Sequence, residues 1–401
     1  LLGSFKNITD EVLVCWYNAK VSDLFSTRTY SFELPESLIA AEPLARRDAS
    51  RLLVVHRSSH TIEHRRMTEL PQILSSDYEM VVNNTRVFRA RLMGERLLDG
   101  GKRGGKVEFF MLKRQGLNCW QGLMKTGARV APGFEFTVQG ISAKVIARED
   151  TPSGALMTAE FSRDPLEAQI GEVPLPPYIL AQRLKQASAS EAGASIRTPA
   201  RTPARTSGDE LEIYNTTYAR EAGSVAAPTA GRHFTPELIR ELQDKGIGWH
   251  EVTLHVGIGT FKPVSVDDVR NHDMHAETAQ IPPAVADALN LAKKRGKKIL
   301  AVGTTTTRTL EGMSHESPDG AVLDSGTQDV NLFIHPAADA GRNYRWKYVD
   351  AMLTNFHLPE STLLMMVSSF VGDVEWVREI YQEAIRERYR FYSYGDAMLI
   401  L

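Results

Sequence analysis

The stretch EAGSVAAPTAGRHFTPELIRELQDKGIGWHEVTLHVGIGTFKPV, Glu221 to Val264, reads as a loop, a helix, a strand and a glycine loop, in that order. Val225 to Phe234 is too rich in Gly, Pro, Ala and Thr for a regular element and reads as an ordered loop with exposed amides. Thr235 is a natural N-cap, Pro236 suits the first helical position, and Glu237 lies where the helix dipole favours an acid. Leu238, Ile239 and Leu242 share one helical face, and Gly246 stops the helix. Trp249 to Val256 alternates as a strand that runs into Gly257-Ile258-Gly259-Thr260. Two loops with bare backbone N–H groups thus flank one helix–strand unit, each beside a histidine, His233 or His255. Such a place can hold an anionic or polar small molecule; the alternative is a pair of tight turns beside satisfied histidines. Gly257-Ile258-Gly259 has no third glycine and leads into strand-like FKPV, which excludes a dinucleotide fingerprint.

The alternation recurs downstream. Pro283 to Arg295 is an amphipathic helix stopped at Gly296, Lys298 to Val302 is a buried strand, and Gly303-Thr304-Thr305-Thr306-Thr307-Arg308 turns into the next helix. A strand, a glycine–threonine turn and a helix form an anion or ribose cradle, but no P-loop, because the Gly-Lys-Ser/Thr ending is missing. Tyr348 to Met352 leads into Leu353-Thr354-Asn355-Phe356-His357-Leu358, with Asp350, Asn355 and His357 as candidates at the strand exit. A helix is expected from Pro359, its methionines packing the core. Asn271 to Glu277 concentrates polar groups, including His272 and His275, yet it is not HExxH and has no distant third ligand, so no metal is expected.

The 401 residues allow two or three domains, and the 42% hydrophobic content allows a sizeable core. The net charge of −2 gives no overall sign of a nucleic-acid binder, so any RNA contact must come from a local patch. Cys15 and Cys119 make neither a zinc site nor a disulfide framework, which suits a reducing cytoplasm, and no stretch is apolar enough to span a bilayer. Residues 1–28 read as an extension of unknown role, neither signal nor transit peptide.

Two arginine clusters stand out. Arg46, Arg47 and Arg51 share one turn, and Arg86, Arg89 and Arg91 follow the turn Asn83-Asn84-Thr85, whose asparagines suit left-handed conformations. Either cluster could receive phosphates or simply be a solvated surface. Pro35 to Ala41 reads as a short helix. From Leu92 to Arg163, alternating apolar segments are broken by Gly or Pro turns at short spacing, the pattern of a small β-barrel or sandwich. Gln186 to Gly208 (QASASEAGASIRTPARTPARTSG) is low-complexity and is expected to be a disordered basic insert, a tolerated insertion or an aid to RNA capture. The aromatic run Tyr389, Phe391, Tyr392 and Tyr394 would pack the chain end or stack a base, with packing preferred.

VAAPTAGRHFTPEL and VTLHVGIGTFKPV resemble the signature of the S-adenosylmethionine:tRNA ribosyltransferase-isomerase family of queuosine biosynthesis. FELPESLIAAEPLARRDASRLLVV, VVNNTRVFRARLMG, GEVPLPPYI, AVGTTTTRTLEG, VDAMLTNFHLPESTLLMMVSSFVG and ERYRFYSYGDAMLI match it in the same order, so the likeness covers roughly Tyr30 to Leu401. The resemblance implies an α/β main domain (29–90 and 167–401) with a small antiparallel β-barrel inserted at 91–166. It implies a monomeric cytoplasmic enzyme that moves and isomerises the ribosyl part of S-adenosylmethionine onto 7-aminomethyl-7-deazaguanine in the tRNA wobble position. Epoxyqueuosine forms, adenine and methionine leave, and no metal or further cofactor takes part. The alternatives are another acceptor on the same fold, or a non-catalytic RNA-binding protein.

A sulfonium makes the adjacent 5′ C–H acidic enough for a histidine base, and it needs an aromatic face or a carboxylate nearby. On the matched motifs, His255, His233, His357 and Arg308 are the catalytic candidates. Thr229, Ala230, Gly231, Phe234, Gly257, Gly259, Thr260, Phe261, His275, Gly303, Thr304, Thr305, Asp350 and Asn355 would line the S-adenosylmethionine site. Arg46, Arg47, Arg51, Asn84, Arg86, Arg89 and Arg91 would meet RNA. Which histidine is the base stays open; His255 ranks first, at a strand exit between glycine loops. The sequence departs from the family at Arg232, where leucine is expected, at His335-Pro336-Ala337, and in the basic insert. Arg232 could depress the pKa of His233 or bind a phosphate.

Overall fold

The structure, a computed structural model, describes residues 24–151, 154–191, 207–257, 264–339 and 341–401. Most of the N-terminal extension, the Arg-Thr-Pro-Ala repeat, and Gly259, Thr260 and Phe261 therefore lie outside the described residues.

The main sheet has nine strands: β1 (Arg51–His56), β2 (Thr61–Arg66), β3 (Tyr78–Asn83), β4 (Gly248–Leu254), β5 (Glu277–Ile281), β6 (Lys298–Val302), β7 (Gly326–Val330), β8 (Ala351–Asn355) and β9 (Ala397–Ile400). Their order is β7-β5-β4-β3-β6-β8-β9-β1-β2. The central four, β4, β3, β6 and β8, run parallel, as expected of short apolar runs buried on both faces. Successive residues face opposite cores: Val81, Ile299, Ala301 and Met352 join one cluster, while Met80, Val82, Leu300 and Leu353 join the other.

Seven helices matter here: α1 (Pro177–Glu191), α2 (Ser207–Tyr214), α3 (Pro236–Asp244), α4 (Pro283–Lys294), α5 (Thr304–Gly312), α6 (Thr362–Val371) and α7 (Val374–Arg386). Thr235 caps α3 by accepting from Leu238 N at 3.2 Å, and Leu238 and Leu242 pack on one sheet face. Helices α4, α6 and α7 cover the other face.

Between Arg91 and Phe161, six antiparallel strands pair in a closed ring: Arg91–Leu97, Arg103–Gly116, Cys119–Thr126, Gly154–Phe161, Ile141–Thr151 and Glu135–Val138, which pairs back with the first. Phe109, Phe136 and Phe161 fill it, their ring centroids 5.7 to 5.9 Å apart. Side chains this large suit the narrow interior of a small closed sheet.

Several local expectations change. Residues 186–191 belong to α1 and are not irregular. Pro35 to Ala41 reduces to a 3-10 turn at Glu36–Leu38. The last Met-rich helix starts at Thr362, because Ser361 caps it by accepting from Leu364 N. Asn83 and Asn84 do not turn left-handed; both are buried. The Asn83 amide bonds Leu254 at its N–H and its carbonyl, at 3.1 and 3.0 Å, and so continues the pairing with β4 past the last backbone pair, Asn83 with Val252. Burial made backbone pairing outweigh turn preference.

Candidate functional site

The four parallel strands end on one edge. From that edge come Asn83-Asn84-Thr85, His255-Val256-Gly257, Gly303-Thr304-Thr305 and Asn355-Phe356-His357. Among the four parallel strands, β3 is followed in the chain by β4 on one side, and β6, after the edge strand β7, by β8 on the other. The ends of β3 and β6 therefore form a topological switch point, where open α/β sheets hold their ligands. Asn83 Nδ2 donates across it to Thr305 Oγ1 at 3.2 Å.

A cavity of about 400 Å³ opens there, within the range of small-molecule sites. Three groups of the expected residues line it: Thr229 with Ala230, Gly303 with Thr304 and Thr305, and Asn355 with His357. Gly303, at φ 87°, takes a left-handed turn that aims the first turn of α5 into the cavity. The amides of that turn have no intrahelical partner and carry the positive end of the helix dipole.

Asn355 is fixed from behind. Its Nδ2 donates to His233 Nε2 at 3.1 Å and to Asp396 O at 3.2 Å, and its Oδ1 accepts from Thr229 Oγ1 at 3.0 Å. His233 Nδ1 meets Ser50 Oγ at 2.8 Å. Burial, with Arg232 adding to it, lowers the His233 pKa to about 3, so this imidazole is neutral and accepts through Nε2. His233 is a buried anchor behind the cavity wall.

His357 is the histidine that lines the cavity. Its Nε2 lies 2.8 Å from Thr354 Oγ1, and its backbone N–H donates to the Tyr381 hydroxyl at 3.1 Å. Enclosure of the ring lowers its pKa, which leaves it unprotonated at neutral pH. Beside it, Glu360 and Tyr392 hold positive φ values of 57° and 72°, uncommon for residues with side chains. Both line the cavity, a place where backbone strain commonly accompanies function.

The sequence did not disclose that Tyr178 and Tyr392 pair as an aromatic wall. Tyr178 and Tyr392 face each other with centroids 4.5 Å apart, and both line the cavity. Phe234, expected in this role, is fully buried in the core against Trp249 at 5.5 Å. The available signals were the Pro-stiffened run before Tyr178 and the glycine after Tyr394.

Other expected residues lie elsewhere. His255 lines neither this cavity nor a second one described below; its Nδ1 meets Thr85 Oγ1 at 2.9 Å. Arg308 Nη1 bonds Glu277 at 2.6 Å in a buried pair, and the other oxygen of Glu277 accepts from Gly257 N at 2.9 Å. That pair holds the base of the second glycine loop. Asp350 precedes β8, at the opposite edge of the sheet, where it bonds Lys293 at 3.1 Å and Ile299 N at 2.8 Å. Gly231 packs against Tyr218, where a Cβ would lie 1.9 Å from the hydroxyl. His275 is half-buried outside the cavity lining.

Most of the expected RNA contacts are occupied within the protein. Arg47 donates to Asn215 O and Glu212 O at 2.6 Å each. Arg51 lies over the Tyr389 ring at 3.8 Å, Arg86 pairs with Glu212, and Arg91 bonds Glu108 at 2.9 Å. Asn84 is buried between Glu251 and Thr253. Arg46, 75% exposed in its side chain and paired with Asp48, and Arg89, whose side chain makes one hydrogen bond among the described residues, to Gln169 O at 3.4 Å, face outward most freely. Arg86, Arg89, Phe88, Gln169 and Glu212 line a second cavity of about 440 Å³.

Two of the departures from the family pattern, Arg232 and His335, are structural. Arg232 is buried, donates to Ile213 O and Ser393 O at 3.0 Å each, and lies over the Tyr394 ring at 4.3 Å. It pins the segment carrying Tyr392 and leaves no guanidinium for phosphate. His335 is buried against Phe333, at 4.7 Å between centroids. Among the described residues, no group of three His, Cys, Asp or Glu side chains could hold a metal, and no helix is long and apolar enough to cross a membrane.

A switch-point cavity with helix amides, a fixed amide and an aromatic pair defines an α/β protein that binds a polar small molecule. Comparison with known proteins narrows the class. The chain belongs to the queuosine biosynthesis protein family, whose model matches residues 27–400. It is 42% identical over 377 residues to the S-adenosylmethionine:tRNA ribosyltransferase-isomerase of Natranaerobius thermophilus, covering 92% of this chain and 98% of that protein. Its likeness to the protein of the same name from Moorella thermoacetica is 43% over 376 residues, covering 93% and 98% of the two chains. The crystal structure of S-adenosylmethionine tRNA ribosyltransferase from Thermotoga maritima is 33% identical, covers 93% of this chain and all of that one, and superposes with a TM-score of 0.48.

Proposed function

We propose that this chain transfers and isomerises the ribosyl moiety of S-adenosylmethionine onto 7-aminomethyl-7-deazaguanine at the tRNA wobble position, giving epoxyqueuosine and releasing adenine and methionine. The observation that carries the reading is the switch-point cavity, whose groups answer the charges of a sulfonium amino acid. The amides of the first α5 turn and the Thr304 and Thr305 hydroxyls receive the methionine carboxylate. The Tyr178–Tyr392 wall faces the sulfonium, since aromatic faces attract cations. Thr229 and Asn355 offer fixed polar atoms to the ammonium or the ribose. With Nε2–H donating to Thr354, the Nδ1 lone pair of His357 takes the acidified 5′ proton. The nucleophile comes from the RNA base, so no Ser or Cys nucleophile is required.

Arg46 and Arg89 are the arginines this reading assigns to phosphates. The closed six-stranded ring is read as an inserted β-barrel, and the enzyme as a cytoplasmic monomer without metal, working where tRNA and S-adenosylmethionine are found. The test is mass spectrometry of a reaction with S-adenosylmethionine and tRNA bearing 7-aminomethyl-7-deazaguanine. Released adenine with an epoxyqueuosine nucleoside in the digest is expected. Binding of S-adenosylmethionine without adenine release removes the reading and points to another acceptor or to RNA binding alone.

A further inference from the structure

His255 stands outside the cavity lining, yet its surroundings are built with more care than those of an idle surface histidine. The ring lies flat on Gly223, where a Cβ would come within 2.6 Å of Cε1 and Nδ1. Its backbone N–H is held by Thr278 O at 3.1 Å. Its Nδ1 lies 2.9 Å from Thr85 Oγ1, Thr85 Oγ1 lies 2.7 Å from Ser224 Oγ, and Ser224 Oγ accepts from Val256 N at 2.8 Å.

That chain has a direction. A backbone N–H can only donate, so Ser224 Oγ is an acceptor at Val256 and has its own proton to give. Its other partner is Thr85 Oγ1, which therefore accepts. The Thr85 proton then has two acceptors within reach, His255 Nδ1 at 2.9 Å and Glu221 O at 3.4 Å, and the shorter contact is the better bond. With Nδ1 accepting, the imidazole proton sits on Nε2. Nε2 has no partner among the described residues, and the ring is part-exposed.

We propose that Thr85 and Ser224 are positioning residues that hold His255 as its Nε2–H tautomer, so that it offers the reaction a neutral hydrogen-bond donor and not the base. The proposal rests on the ribosyl-transfer reading for the reaction served, and it reverses the first rank given to His255 as base. Burial lowers the pKa of His255, with Glu221 opposing, which favours the neutral ring. A neutral imidazole gives up its remaining proton with difficulty. Its use is to donate a hydrogen bond to an oxygen or ring nitrogen that gains electron density in the transition state. The location suits that use. The short parallel pair Thr85–Val87 and Glu221–Ser224 carries this hydroxyl chain. On one side Arg86, Val87 and Ala222 line the 440 Å³ cavity; on the other, Val256 and Ala226 line the 400 Å³ cavity. His255 thus stands at the partition between the two.

The test is a long-range ¹H–¹⁵N correlation spectrum of the imidazoles in the full chain, with His255→Gln assigning the signal. The expected wild-type result is a proton on Nε2 and an accepting Nδ1. Thr85→Val keeps the shape and removes the hydroxyl. It should mix the tautomers and lower kcat about tenfold or more, while KM for S-adenosylmethionine holds, and Thr85→Ser should restore both readouts. If Thr85→Val does not fold, Ser224→Ala removes the upstream donor and should mix the tautomers in the same way. A wild-type Nδ1–H tautomer overturns the proposal, as does a folded Thr85→Val or Ser224→Ala protein with unchanged tautomer and kcat. A wild-type protein with the expected tautomer but no adenine release removes the ribosyl-transfer reading and leaves the positioning chain standing.

Discussion

His233 Nε2 accepts from Asn355 Nδ2 at 3.1 Å, and that bond couples a buried imidazole to an amide in the cavity wall. Because the ring is neutral and Nδ1 is engaged at Ser50, Asn355 must present Nδ2 inward and Oδ1 toward Thr229. The histidine thereby fixes which polar atom of Asn355 remains for a ligand. Replacing His233 with Phe leaves the Asn355 Nδ2–H without its acceptor and Ser50 Oγ without the Nδ1–H donor, and should cost about 1–3 kcal/mol of stability. It should also weaken S-adenosylmethionine binding several-fold. Denaturant unfolding and calorimetric titration of one protein sample check both, and unchanged binding would show that the orientation of Asn355 is immaterial.

The same ring makes stability depend on pH. The His233 pKa is about 3 when folded and about 6.5 when unfolded. Between those values the unfolded chain binds the extra proton, so stability is full above the unfolded pKa and falls as pH drops toward 3. The slope contributed is about 1.4 kcal/mol per pH unit. Urea midpoints measured from pH 7.5 to 4.5 should fall more steeply for the wild type than for His233→Phe. Parallel profiles would mean that the ring is not buried neutral.

How much of this was legible follows from what each element obeys. The α3–β4 unit follows local rules, and Thr235, Pro236 and the apolar spacing place its helix from sequence. The Gly303 turn and the exit at Asn355 are legible for the same reason. The arginines were not. Arg47, Arg86 and Arg91 look like a phosphate-binding surface in a linear reading, but their partners Glu212, Asn215, Glu108 and Glu172 are brought to them only by the fold. The pairing of Tyr178 with Tyr392 was missed because the wall they share joins residues 214 positions apart. Asp350 was misplaced because a strand's two ends look alike until its direction in the sheet is known.

Arg308 and Glu277 are separated by 31 positions and buried at 5% and 6% side-chain exposure. Arg308→Met leaves the Glu277 carboxylate buried without its guanidinium and should destabilise the protein by about 3–5 kcal/mol. Arg308→Met combined with Glu277→Leu should recover much of that loss, because the buried carboxylate that lost its guanidinium is gone as well. The double variant also frees Gly257 N, so S-adenosylmethionine binding should weaken even where stability returns. Stability and affinity recovered together would mean that the pair has no part in shaping the second glycine loop.

Arg89 and Arg47 should separate RNA contact from architecture. Arg89→Ala removes an outward guanidinium with one long hydrogen bond among the described residues and should raise KM for tRNA, lowering the salt dependence of binding by about one ion. Its melting temperature should hold. Arg47→Ala breaks two 2.6 Å bonds to backbone carbonyls and should lower stability first. Filter binding across a salt series with parallel melting curves distinguishes the two, and an unchanged salt slope for Arg89→Ala removes it from the interface.

His357 decides where the base lies. His357→Gln keeps a polar side chain in the cavity and removes the imidazole lone pair, so kcat should fall about a hundredfold or more, with KM for S-adenosylmethionine within a few-fold of wild type. Tyr392→Leu should do the reverse: it strips the ring that faces Tyr178 at 4.5 Å and raises KM while kcat changes less. The split follows from what each group meets, since a base acts on the transition state and an aromatic wall also holds the ground state. Solvent-deuterium wash-in at the 5′ carbon gives an independent reading of proton removal. If exchange persists in His357→Gln at the wild-type rate, the base is another group of the cavity, and Glu360, held at positive φ beside it, becomes the residue to change.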